Sequence, residues 1–124
     1  MRRDLKEAVN VERLANELKQ LAGILRKYEH DGQATVVEEI QASLGTPQPD
    51  FNRLRGVDMW GGSGAVWEVS LCQSGTTLAE MQTDEALFRR TIIQLAVIMD
   101  GLKIGTVRSR DIAKIFQGWL DRGI

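Results

Sequence analysis

One histidine, His30, and one cysteine, Cys72, are the only such side chains in this chain of 124 residues. A lone cysteine excludes an internal disulfide and a thiolate zinc cluster, and it fits a reducing compartment. A lone histidine at a helix end beside Asp31 assembles neither a proton relay nor a metal site, so a solvated position is expected for it. No catalytic residue and no metal ligand can be nominated, and no cofactor is expected. Cys72 has no neighbouring histidine or lysine to activate it, which points to a small buried or half-buried side chain.

Net charge is equally scarce, at −1. Basic residues are interleaved with acids: Asp4 follows Arg2-Arg3, Glu29 follows Arg26-Lys27, and Asp111 follows Arg108-Ser109-Arg110. No long-range field therefore draws in nucleic acid or an anionic membrane. Arg89-Arg90 and the Arg108, Arg110, Lys114 group are the only places where phosphate could be read, and a nucleic-acid partner is disfavoured. No apolar run approaches the ~20 residues of a membrane span. The opening Met-Arg-Arg-Asp-Leu-Lys-Glu lacks the apolar stretch of a secretion signal. A cytoplasmic protein without a membrane partner is the expectation.

What the chain does have is 43% hydrophobic and 27% charged residues, a globular composition. The length suits one domain, 1–124. Leu5, Ala8, Val11, Leu14, Leu18, Leu21, Leu25 and Tyr28 recur at threes and fours, the period of one helix face. Asn10 either caps a fresh start within this run or is passed through, and Gly23 offers a neighbouring helix a close approach. His30-Asp31-Gly32 reads as a turn before a second helix over 33–44. Gly45-Thr46-Pro47-Gln48-Pro49 breaks that helix. Asp50 is placed to cap a short piece over 51–55. Thr83-Asp84-Glu85 reads as the start of a long helix to about Lys103. After a turn over 103–106, Ser109 and Asp111 open a final helix with a stripe of Ile112, Ile115, Phe116, Trp119 and Leu120 that Gly123 ends. The expected fold is mainly α: two helical hairpins, four to five helices, joined by a glycine- and tryptophan-rich central segment.

That segment is the unusual part. Met59-Trp60-Gly61-Gly62-Ser63-Gly64-Ala65-Val66-Trp67-Glu68 combines chain freedom with two large aromatics. Over 66–71 it reads as a short strand or loop with Trp67, Val69 and Leu71 on one face; a helix capped by Ser63 is the competitor. The glycines do not make a phosphate loop, because Ala65-Val66 stands where lysine and a hydroxyl residue are required. Ser63 does not make a nucleophile elbow, which needs a residue between each glycine and the serine. A tight structural turn is the simpler reading. Trp67 and Trp119 are expected in the core, whereas Trp60 is evenly balanced between core and surface. Asp58 and Glu68 flank the glycines, and paired carboxylates can perform hydrolysis, but capping a loop N–H or pairing with Arg53 or Arg55 is the simpler role for them.

Leu25-Arg26-Lys27-Tyr28 closing a first helix, followed by Trp60-Gly61-Gly62-Ser63-Gly64-Ala65, resembles a family of small uncharacterised bacterial proteins. These carry a Phe/Trp-Gly-Gly-x-Gly-Ser/Ala motif after an N-terminal helical hairpin. The likeness covers about the first 70 residues. The chain departs from the pattern at Trp67-Glu68, where Asn-Asp is common, and in its two further helices. The resemblance implies the helical hairpin and no particular activity. Proteins of this kind are often encoded near secreted toxins, which implies a non-catalytic, immunity-type module that binds a toxin partner. Asp58, Trp60, Gly61, Gly62, Ser63 and Glu68 are the candidate partner-binding residues. A self-associating helical protein, dimerising through its terminal helices, is the alternative; nucleotide binding or enzymatic use of the Gly61–Gly64 loop ranks below both.

Overall fold

A computed structural model describes residues 5–72 and 75–123. The Arg2-Arg3-Asp4 cluster lies outside them. Among the described residues there are five α-helices, one 3-10 turn and no strand. In chain order they are α1 (Leu5–Lys27), α2 (Asp31–Leu44), α3 (Val57–Trp60), the 3-10 turn Val66–Glu68, α4 (Leu78–Gly101) and α5 (Val107–Asp121). The α1–α2 and α4–α5 hairpins meet where α1 packs on α4, so the expected two-hairpin arrangement is present.

The core follows from the periodicity. Leu14, Leu18, Leu21 and Leu25 of α1, Ile40 of α2, Ile92, Leu95 and Met99 of α4 and Ile112 of α5 are almost wholly enclosed. Burying one such side chain stabilises the fold by ~1.5–3 kcal/mol before entropy is subtracted. Helix α1 passes through Asn10 without a break. Gly23 does not admit a neighbour, since it is exposed and a side chain there would meet nothing within 4 Å.

Helix α1 ends earlier than the His30-Asp31-Gly32 reading has it. Glu29 takes the left-handed conformation at φ 63. The His30 N–H then reaches back to the Leu25 carbonyl at 2.9 Å and the Glu29 N–H to Arg26 at 3.1 Å. This paired closure satisfies carbonyls that the helix end leaves open. Asp31 and Gly32 are consequently already in α2, two residues before the expected start. Arg26 joins the two helices through Asp31 at 3.2 Å and Glu38 at 2.5 Å.

Two more boundaries differ from expectation. The piece after Asp50 is a pair of turns and not a helix. Asp50 Oδ1 accepts from the Asn52 N–H at 2.9 Å, but Gly56 is extended (φ −90, ψ −176), which stops propagation. Helix α4 starts five residues before Thr83, because Thr77 is the cap: its hydroxyl accepts from the Glu80 N–H at 3.1 Å. Thr83 instead donates back to the Ala79 carbonyl at 3.0 Å inside the helix. Likewise Thr106 caps α5, and Ser109 returns a bond to the Thr106 N–H at 2.9 Å, closing a reciprocal capping box.

The end of α1 is tied to the start of α4 by a partly exposed polar cluster around the buried Tyr28. Asp84 accepts from Tyr28 Oη and from Lys27 Nζ, each at 2.6 Å, and Lys27 also bonds Glu80 at 2.7 Å.

Candidate functional site: the central segment and its two grooves

The stretch between the hairpins is held by its tryptophans. Trp60 is enclosed, with 2% of its surface exposed, and its Nε1–H donates to the Leu54 carbonyl at 2.7 Å. That burial decides the open question about Trp60 and removes it as an exposed partner anchor: the turn over 52–55 supplies the carbonyl that lets the indole go inside. Trp67 is half-buried and donates to the Gly61 carbonyl at 2.6 Å.

Arg108, at the start of α5, completes the clamp. Its Nε donates to the Trp60 carbonyl at 3.0 Å and its Nη2 to Gly61 at 3.2 Å. The guanidinium also lies 5.7 Å from the Trp67 ring centre. It thus caps the open carbonyls at the end of α3 with a cation, the charge that a helix C-terminus favours. Gly61 is required sterically, since a Cβ there would come within 2.6 Å of the Val57 carbonyl oxygen.

Beyond Gly61 the glycine loop turns on itself, with the Ala65 N–H bonded to Gly62 at 3.0 Å and Gly64 at φ 87. The stretch 66–71 is neither strand nor α-helix: a 3-10 turn over Val66–Glu68 leads into extended chain. The expected alternation of faces is lost with the strand: Trp67, Val69 and Leu71 line one groove, but Glu68 lines it too.

This first groove, about 190 Å³, is closed on its other sides by Glu85, Phe88 and Arg89 of α4 and Phe116 and Trp119 of α5. Phe116 is its hub, with ring centres 6.2 Å from Trp67, 6.3 Å from Phe88 and 5.3 Å from Trp119. Arg89 is nearly buried; it stacks 4.9 Å from the Trp119 ring and bonds Glu85 at 2.8 Å. Glu68 is exposed at the rim and, among the described residues, its carboxylate makes no ion pair or hydrogen bond.

The sequence-nominated residues do not form one site. Asp58 is exposed on α3 and paired with Arg53 at 3.5 Å, and Arg53 also bonds Glu39 at 2.8 Å. Glu68 belongs to the aromatic groove. Ser63 and Glu68 share an open depression of about 360 Å³ with His30. The His30 ring is not free in solvent there, because its Nε2–H donates to the Ser70 carbonyl at 2.8 Å and ties the α1–α2 turn to the central segment. Among the described residues no hydrogen bond joins Ser63 or Glu68 to His30. Gly61 and Gly62 serve the turn. Cys72 is exposed, contrary to the buried position expected, because the chain is leaving the core after Leu71.

Glu85, Phe88, Phe116 and Trp119 are not recognisable as one site in the sequence. Glu85 and Arg89 carried an i,i+4 signal and Phe116 and Trp119 an i,i+3 one, but which segment these helix faces meet is a tertiary matter. Three of the basic positions named for phosphate reading are engaged within the chain, Arg89 and Arg108 as described and Arg110 with Asp100 at 3.0 Å. Among the described residues, no group of three or more His, Cys, Asp or Glu is arranged to hold a metal ion, and no helix is long and apolar enough to cross a membrane. Comparison with protein-family models, curated proteins and solved structures finds no match.

Proposed function

We propose that this chain is a non-catalytic protein-binding module whose contact face is the aromatic groove between the central segment and the α4–α5 hairpin. The observation that carries this is the set of half-buried rings, Trp67 and Trp119 around Phe116, with the unpaired Glu68 carboxylate on the rim. Tryptophans at the edge of a pocket are the residues that most often dominate binding energy. At about 190 Å³ the groove is below the ~300–1,000 Å³ of small-molecule sites, and suits one anchoring side chain. The Glu68 carboxylate on the rim favours an arginine or lysine of the partner through charge complementarity.

An immunity-type role in the cytoplasm, neutralising a toxin by covering its surface, is the specific form we favour; it rests on the resemblance of the Trp60–Ala65 motif. Co-expression with the product of the adjacent gene tests it. Growth rescue and co-purification are expected for the native chain and loss of both for E68K and W119A. Absence of a complex together with absence of rescue would overturn the toxin reading.

Self-association is the second reading, supported by the exposure of Ile115 (46%) and Val97 (54%) on the α4–α5 hairpin. It draws less support than the first, because Ile112 and Phe116 of the same stripe are already spent on the core. Light scattering over a dilution series separates the two, since a strict monomer eliminates a homodimer.

A further inference from the structure

A second groove, about 240 Å³, lies on another face, between α3 and the start of α5. Its floor is Trp60 and Gly61, and Arg55, Val57, Thr106 and Arg108 form the sides. Val57 is 78% exposed and Val107, at the adjoining start of α5, is 67% exposed. Both occupy the first position of a helix, where exposed apolar side chains gain nothing from the fold.

The charge around this trough has one sign. No carboxylate lines it. Among the described residues, Arg26, Arg53, Arg89 and Arg110 each have a carboxylate partner, whereas Arg55 and Arg108 have none. Arg55 uses only Nε, bonded to the Ile104 carbonyl at 3.0 Å, and Arg108 keeps Nη1 free while its other nitrogens hold Trp60 and Gly61. The first turn of α5 holds no acid, and since its Arg110 is paired with Asp100, the cations without a carboxylate partner on the rim are Arg55 and Arg108. In a chain of net charge −1 this is a local basic rim around an apolar floor.

We infer that this groove is a docking site for an acidic segment of a partner protein, one that presents a single large apolar side chain flanked by Asp or Glu. The apolar anchor fills the trough over Trp60 beside Val57, with Val107 extending the apolar surface next to Thr106 and Arg108, and the flanking carboxylates take the free guanidinium N–H groups of Arg55 and Arg108, which suit bidentate pairing. A phosphate backbone would satisfy the arginines but supply nothing for the apolar floor. The inference is independent of the aromatic groove, which shares no lining residue with this one.

Selection of random dodecapeptides displayed on phage against the full chain tests it. The expected consensus is a large apolar residue with acids on both sides. Its affinity should fall about tenfold in the V57S/V107S double variant and several-fold in R55S, weaken with added salt, and remain unchanged in W119A. Val57 and Val107 are exposed, so the fold is retained, which circular dichroism would verify. Failure to enrich an acidic consensus, or an acidic consensus indifferent to V57S/V107S, would each refute the assignment. So would a mixed-sequence oligonucleotide that binds through Arg55 alone, which would make the face a phosphate reader.

Discussion

Tyr28 is the only tyrosine, so its titration can be followed without interference. Burial first, and then its hydrogen bond to Asp84, push the phenol from an ordinary 10.0 to about 12. The folded state holds this proton more tightly than the unfolded state does. Its contribution is therefore complete below about pH 10 and lost as pH rises towards about 12. Phenolate absorbance should appear near pH 12 in the native protein and near pH 10 in denaturant; coincident curves would contradict the burial of this ring. Asp84 is held below its ordinary 3.8, chiefly by the hydrogen bond from Lys27 and then by that from Tyr28. That stabilisation is present above the unfolded carboxyl range and disappears as pH falls through the lowered value. Asp84→Asn should bring the Tyr28 midpoint down and cost about 1–3 kcal/mol in urea unfolding.

The glycines of the central loop differ from one another in the same quantitative way. Gly61→Ala forces a Cβ to within 2.6 Å of a backbone oxygen, and should cost about 1–3 kcal/mol. Gly62→Ala meets nothing within 4 Å and should be close to neutral. Unfolding midpoints that did not separate the two variants would count against the packed turn described above. The sequence makes a tight turn readable here, but not which glycine is indispensable, because the obstructing atom belongs to Val57. Trp60 was undecidable for a related reason: its burial depends on an acceptor at Leu54 delivered by a turn.

Among the elements, helix interiors were legible and helix starts were not. The leucine spacing of α1 and the stripe of α5 predict the buried faces directly. The start of α4 differs from the expected Thr83 because two threonines compete for the cap, and Thr77 wins with Glu80 three residues on. The helix ends have their own cost. Lys103, like Glu29, is left-handed at φ 63, and the Ile104 N–H bonds Met99 at 2.9 Å around it. Lys103→Gly should relieve this and raise stability by about 1 kcal/mol, seen as a higher Tm. Thr106→Ala should lower stability by about 1 kcal/mol through loss of the α5 cap. A Tm unaffected by either change would mean that the termini fray and carry no strain.

For the whole molecule, two hairpins meeting through α1 and α4 leave the connecting segment to be secured from outside, by Arg108 of α5 and His30 of the α1–α2 turn. The hairpin order was readable because it follows from local periodicity. The site was not, since the six nominated residues are neighbours in sequence but are distributed by the fold over a paired acid, a buried indole, a turn and a groove rim. The groove itself draws on Trp67 and Glu68 together with α4 and α5 residues far along the chain. Of the six, only Glu68 lines the aromatic groove, which Trp119 also lines.

The three indole N–H groups make the binding claim measurable in one spectrum. Trp60 and Trp67 donate to carbonyls, while Trp119 has no acceptor among the described residues. Titrating a co-purified partner into nitrogen-15-labelled protein should move the Trp119 indole resonance, perturb that of Trp67 less, and leave Trp60 in place. A complex that forms without moving Trp119, or that shifts only Trp60, would contradict the assignment of the aromatic groove.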